Sequence, residues 1–291
     1  MGNVLQLIAA GTAMGLIYGL IGMGVNLVYN ATGGLNFAQG SLMLLGAYMG
    51  VTFYILLGMS LIPSIVLAVL VMGVVGAIFG KLVYEPVRKR GPQMFLMAAI
   101  GAGIAIVEAT QIIWGKIPYF FPRLISVSSL AIGGNIVDTQ SLVILSCAIV
   151  ILLGVLYLLK NTQLGLAMLS VGQSKEVAGL MGIRVGRTIS LTFSLSTALA
   201  AIAGILVAPL FSVSPGIADI MIKGMCACVI GGYGPRVMGV IVGGVLLGVV
   251  ENFAAFYVSS AYRDAWAFLI LTIFLIVKPR GLFGREVAEK A

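Results

Sequence analysis

Apolar residues run along this chain in blocks of close to twenty, separated by short clusters of Gly, Pro and charged side chains. Blocks of that length suit helices crossing a hydrocarbon layer roughly 30 Å thick at about 1.5 Å per residue, and the Gly scattered within them point to helices rather than barrel strands. The pattern predicts spans at 4–29, 37–58, 61–83, 93–114, 139–159, 188–210, 217–233, 236–258 and 265–277. The seventh differs from the rest. Its length reaches only roughly 25 Å as a helix, it carries Asp219 and Lys223, and it ends in Gly231-Gly232-Tyr233-Gly234-Pro235. A broken or re-entrant piece lined by protein is expected there as readily as a plain crossing. The predicted fold class is an all-α polytopic membrane bundle of eight or nine transmembrane helices with one short broken segment. It forms a single domain over 1–291.

Small residues recur at helical spacing. Gly11, Gly15 and Gly19 make a double GxxxG on the first span, continued by Gly22 and Asn26; Gly244 and Gly248 repeat the device on the eighth. Ala98, Gly101, Ala102, Ala105 and Ala109 share a face of the fourth. Lipid supplies little hydrophobic drive between helices, so close approach over small side chains holds such a bundle together. Glu108 follows Ala105 by three positions and Glu251 follows Gly248 by three, so both are expected to point into the bundle, as the cost of a charge in lipid requires. Each is a candidate pathway residue or a polar clasp to a neighbouring helix. Asp219 and Lys223, spaced i, i+4, are expected to neutralise each other. The hydroxyls from Thr188 to Thr197 are spread too widely around the sixth span to mark one lining face.

Composition narrows the function classes. The 291 residues are 60% hydrophobic and 9% charged, with a mean hydropathy of +1.15, against about 25% charged in a soluble domain. The net charge of +8 sits in connections between spans, where it sets topology and meets lipid headgroups rather than nucleic acid. Lys81, Arg88, Lys89 and Arg90 fall in one loop, Lys160, Lys175, Arg184 and Arg187 in a second, and Lys278, Arg280, Arg285 and Lys290 in the tail. These three segments are assigned to the cytoplasm, which places the N-terminus outside, the C-terminus inside and makes the number of crossings odd. No charged side chain precedes Lys81, so a cleavable signal peptide with a basic n-region is not expected. The outer connection 115–138 holds Pro118-Tyr119-Phe120-Phe121-Pro122, read either as an interfacial aromatic belt or as a docking surface. Histidine is absent, which removes His-based triads, zinc sites and proton relays together. Cys147, Cys226 and Cys228 match no metal spacing and read as small packing residues.

Residues 160–187 form the one long, basic, water-compatible stretch with helical character. Val177, Leu180, Met181 and Arg184 recur at i, i+3, i+4 and i+7, with Ser174 placed as N-cap and Gly182 as the C-terminal stop. Glu176-Val177-Ala178-Gly179-Leu180-Met181-Gly182 resembles the E-A-A-x3-G coupling loop of ABC importer permeases. Further pieces extend the likeness over nearly the whole chain. Gly34-Leu35-Asn36-Phe37-Ala38-Gln39-Gly40 with Gly46-Ala47-Tyr48 is similar to the N-F-A-H/Q-G…G-A-Y motif of branched-chain amino acid permeases of the LivH/LivM type. Gly182-Ile183 with Leu191-Thr192-Phe193 and Ala200-Ala201-Ile202-Ala203-Gly204 resembles that family's stretch after the coupling loop. Gly231-Gly232-Tyr233-Gly234 with Gly239 and Gly243-Gly244, and Pro279-Arg280-Gly281-Leu282-Phe283-Gly284, resemble its later motifs. Leu166 and Leu169 stand where that family usually has basic residues, and Ser41 where an acidic one is frequent.

The resemblance implies a permease subunit of a binding-protein-dependent ABC importer for branched-chain or other neutral amino acids, in a bacterial inner membrane. Its implied partners are ABC ATPase subunits, a second permease subunit, a solute-binding protein and the lipid membrane. No G-x-x-x-x-G-K-S/T sequence is present, so ATP and magnesium are expected in the partner, with no cofactor or metal held here and no enzymatic activity of the chain's own. Gly165, Ala167, Met168, Ser174, Glu176, Ala178, Leu180 and Gly182 are the candidate coupling residues. Asn36, Phe37, Gln39, Glu108 and Glu251 are the candidates for the translocation pathway. An ion-coupled secondary transporter is the alternative, with only Glu108, Asp219, Lys223 and Glu251 available as intramembrane charges. An intramembrane enzyme is disfavoured by the missing histidine and the lack of a paired-carboxylate motif.

Overall fold

Glycine decides which helices touch. The computed structural model describes residues 2–122, 129–132, 135–234, 237–278 and 281–283, and its most extensive helix contact joins α1 (Gly2–Thr32) to α10 (Val237–Tyr257). A Cβ placed on Gly15 would lie 2.6 Å from the Gly244 oxygen, and one on Gly244 would lie 2.5 Å from the Gly15 oxygen. Gly11 and Gly248 interlock with the same backbones. The two GxxxG faces expected from the sequence therefore meet each other, with backbones too close for any larger residue. Gly15→Leu is expected to leave little protein in the membrane, measured by immunoblot of isolated membranes, because neither backbone can move aside without unpacking α9 as well.

All nine predicted spans fall on helices. Among the described residues, seven helical segments are long and apolar enough to cross a membrane: those in 6–32, 39–56, 61–84, 92–114, 139–161, 185–207 and 237–257. They correspond to α1, α2 (Gln39–Val51) with a π-helical turn after it, α3 (Leu61–Phe79) with another, α4 (Pro92–Trp114), α5 (Thr139–Asn161), α8 (Val185–Val207) and α10. The other two are shorter: α9 (Ile220–Gly231) and α11 (Arg263–Val277). At 12 residues, α9 reaches about 18 Å, well short of the hydrocarbon thickness.

The expected break lies ahead of α9. Val213 pairs with Tyr119 of the outer connection through two backbone hydrogen bonds of 2.8 and 3.2 Å. Two residues later, a 3-10 turn at Pro215–Asp219 abuts the start of α2, where Gly40 faces the Ala218 carbonyl. Lys223 then stands over the ring of Tyr18, near the middle of α1. The chain thus re-enters from one end and starts a half-helix deep in the bundle, a geometry tolerated only where protein lines it.

The basic segments gather at the opposite end. Lys175 donates to the Thr32 oxygen at the end of α1 (3.0 Å) and to the Tyr84 hydroxyl after α3 (3.4 Å). Asn26 and Asn30 of α1 donate to the Gly234 oxygen beyond α9 (3.0 and 2.9 Å). The tail returns there, Leu282 and Phe283 donating to Ile230 and Gly231. The Gly281 stretch seals against Gly232.

Three local expectations change. The small-residue face expected on α4 is not its packed face: Phe95, Ala99, Gly103 and Thr110 are buried, while Gly101, Ala105, Glu108 and Ala109 are exposed. The outer connection contains a hairpin of β1 (Ser129–Ile132) and β2 (Asn135–Asp138), antiparallel with Ser129 opposite Asp138. Two four-residue runs around Gly133-Gly134 were its signal. Of the connection's aromatics, Phe121 is buried and Tyr119 packs edge-on to Tyr48, whereas Phe120 is exposed; Arg123, within the same connection, lies outside the described residues.

Candidate functional site

The basic segment 160–187 folds as two short helices. Thr162 caps α6 (Gln163–Gln173), its hydroxyl accepting from the Gly165 amide at 3.1 Å. Ser174 caps α7 (Lys175–Leu180), accepting from the Val177 amide at 3.3 Å. Gly182 ends it with φ +83°, a conformation in which a side chain would be strained. Both the cap and the stop stand where the sequence placed them; α6 is an addition. The candidate coupling residues divide by burial. Gly165 sits against the Leu158 carbonyl and Leu159 with no room for a Cβ, and Met168 and Ala178 are buried, so these three fasten the segment to the bundle. Ala167 is half-buried. Glu176 and Leu180 face outward.

The amphipathic stripe does not lie on the bundle. Leu180 is 88% and Met181 78% exposed, with Val177 beside them, while Ala178 alone of α7 is buried. This helix therefore presents an apolar tip flanked by Glu176 to whatever lies beyond this end, and an exposed apolar patch of that kind marks a contact surface.

Within the bundle, Asn36 and Gln39 form a buried clasp. Gln39 donates to the Ser196 oxygen of α8 (3.0 Å), the Ser196 hydroxyl donates to the Gly24 oxygen of α1 (2.9 Å), and Asn36 donates to Gln39 (3.4 Å). Both polar side chains are thus committed to joining α1, α2 and α8. Phe37 stands apart and lines a cavity of about 390 Å³ with Ser41, Val107, Glu108, Asp219 and Ile222.

Glu251 is fully buried, and its Oε1 takes three contacts: Lys223 Nζ at 2.7 Å, Arg263 Nε at 2.8 Å and the Tyr18 hydroxyl at 3.3 Å. Lys223 also pairs with Asp264 at 2.8 Å. The polar clasp is therefore an ionic knot tying α9, α10 and α11 to α1, balanced at two positive and two negative charges. This corrects the expected Asp219–Lys223 pair, because Lys223 is spoken for elsewhere. The knot lines a second cavity of about 700 Å³, with Tyr18, Phe211, Lys223, Arg263 and Asp264 in its wall. Asp219 and Ile222 border both cavities. Glu108 differs from expectation as well, since it leaves the chain's own bundle and faces the smaller cavity.

These features define a multi-pass membrane protein with a short helix fastened at one end of the bundle, its apolar tip exposed, and cavities meeting at a half-helix. The chain belongs to the family described as branched-chain amino acid transport system / permease component, which matches residues 7–277. It is 29% identical over 302 residues to the high-affinity branched-chain amino acid transport system permease protein BraD of Pseudomonas aeruginosa, covering 99% of this chain and 98% of the relative. The LivH permease protein of Escherichia coli is 28% identical over 303 residues, covering 98% and 97%. A probable LivH of Methanocaldococcus jannaschii is 29% identical over 287 residues, covering 91% and 88%. In fold, the chain resembles a chain of PsaBC from Streptococcus pneumoniae in complex with Fab, with a TM-score of 0.52 and 14% identity over 94% of this chain and 92% of that one.

Proposed function

We propose that this chain is the membrane-spanning permease subunit of a binding-protein-dependent ABC importer, moving branched-chain or similar neutral amino acids across a bacterial inner membrane. It works as one domain over 1–291, with a second permease subunit, ATPase subunits that hold ATP and magnesium, and a solute-binding protein on the outer side. The N-terminus lies outside and the C-terminus in the cytoplasm. The gathering of Lys160, Lys175 and the Arg88–Arg90 loop at one end supports that orientation.

The observation that carries this reading is the lever: Val177, Leu180 and Met181 exposed on a capped helix that Lys175 and Ala178 fix to the ends of α1, α3 and α8. A helix so fastened transmits a push. An ATPase that grips it differently in its two nucleotide states biases the bundle between outward and inward access. Asn36 and Gln39 keep α1, α2 and α8 moving as one body, while Phe37 and Glu108 border the cavity beside it and Glu251 ties α9, α10 and α11 to α1.

Purification in mild detergent with the neighbouring subunits co-expressed tests the assignment. An ATPase subunit is expected to elute with this chain, and uptake in vesicles is expected to stop on ATP depletion while an imposed ion gradient persists. Uptake that follows the ion gradient with no ATPase bound would refute it.

A further inference from the structure

We propose that the cavity between α2, α4 and the start of α9 is a binding site for the α-ammonium group of the passing amino acid, with Glu108, Asp219 and the Ser41 hydroxyl as its three acceptors. This rests on the amino-acid transport reading above and assigns the recognition to particular atoms.

Three polar groups in this cavity have no hydrogen-bond or ion-pair partner among the described residues. Ser41 is only 8% exposed, yet its hydroxyl makes no hydrogen bond among the described residues. A Cβ added to Gly103 would come within 3.1 Å of that Oγ, so glycine on α4 is what leaves room beside it. A helical serine ordinarily satisfies itself on the carbonyl four residues back. Opening onto the cavity, this hydroxyl is free to accept from a group bound there.

Glu108 and Asp219 contribute two carboxylates to the same wall, and no Lys or Arg lines it. The nearest intramembrane cations are already balanced: Lys223 and Arg263 are held by Glu251 and Asp264. Both carboxylates are exposed on the chain and open onto this cavity, so a cation that enters it meets two acceptors that no residue of the wall neutralises. An ammonium group carries three N–H donors and no acceptor, which matches two carboxylates and one hydroxyl. Ile100, Ile104, Val107 and Ile222 supply an aliphatic wall for the side chain, and about 390 Å³ falls within the range of small-ligand pockets. A solute bearing only a carboxylate meets like charge here and is rejected.

Radiolabelled L-leucine binding to the assembled membrane complex in nanodiscs, free of the soluble binding protein, tests the site. Glu108→Gln and Asp219→Asn are each expected to weaken binding by about tenfold or more, the loss of one charge-assisted hydrogen bond. Ser41→Ala is expected to weaken it by less. 3-Methylbutylamine, which keeps the amine, is expected to compete, and 4-methylpentanoate, which keeps only the carboxylate, is not. Unchanged affinity in both charge variants, no leucine binding by the wild type, or equal competition by the two analogues would overturn the site. So would separation of the two permease subunits by Glu108→Gln on size-exclusion chromatography, which would make Glu108 an interface residue instead. If the wild-type complex shows no ATP-driven uptake of any amino acid, the importer reading itself falls, an outcome separable from the binding results.

Discussion

Glu251→Ala is expected to destabilise the protein by about 3–5 kcal/mol, the loss typical of removing one partner from a buried ion pair. The side chain is wholly buried, while Lys223 and Arg263 are 15% and 32% exposed, so solvent compensates the two cations poorly. Without Glu251, Lys223 keeps Asp264, but Arg263 loses its acceptor and the Tyr18 hydroxyl loses its own. The elements affected are α1, α9, α10 and α11, of which α1, α9 and α11 contribute to the wall of the larger cavity. Thermal unfolding in detergent should show a clear fall in midpoint, and membrane abundance should drop. Glu251→Gln keeps an acceptor oxygen for Tyr18 and Arg263 and should fall between wild type and alanine. A wild-type midpoint for the alanine variant would mean that the knot does not hold these helices together.

Glu176→Lys is expected to abolish uptake while leaving membrane abundance unchanged. Glu176 is exposed in the first turn of α7, where its charge complements the helix N-terminus, a surface effect of about 0.3–1 kcal/mol. That is too little to unfold a bundle anchored by Ala178, Gly165 and Met168. The effect on coupling is far larger, because reversal of charge at a contact surface meets its partner with like charge. Uptake assays beside quantitative immunoblots separate the two. Normal uptake in Glu176→Lys would remove α7 from the contact with the ATPase.

Much of the architecture was legible because membrane helices write their packing in small residues. Gly11, Gly15, Gly244 and Gly248 leave no alternative where two backbones touch, and the caps at Ser174 and Gly182 follow from backbone chemistry alone. The same reasoning failed on α4. Ala98, Gly101, Ala105 and Ala109 do form a stripe, but a stripe says only that something approaches closely, not whether it belongs to this chain. The packed face lies around Phe95, Ala99 and Gly103.

The Asp219–Lys223 pairing failed for a different reason. A spacing of i, i+4 places two side chains together only within one regular α-helix, and the 3-10 turn at Pro215–Asp219 ends where α9 begins. That offset turns Asp219 toward the cavities and frees Lys223 for Glu251, whose distance of 28 residues along the chain no local pattern encodes. Of the pathway candidates, Gln39 is hydrogen-bonded to Ser196 of α8 and to Asn36. Ser41 and Asp219 are not among the pathway candidates read from the sequence; the cavity is what brings them beside Glu108 and Phe37.

The central claim is that the outward tip of α7 is seated in a nucleotide-hydrolysing subunit. A single cysteine at Leu180, in a chain whose own Cys147, Cys226 and Cys228 are replaced by alanine, tests it by short-spacer cross-linking in intact membranes. The account predicts a cross-link to the ATPase subunit whose yield changes between ATP-trapped and nucleotide-free states. A cross-link that never joins Leu180→Cys to that subunit, in membranes that still import amino acids, would contradict it.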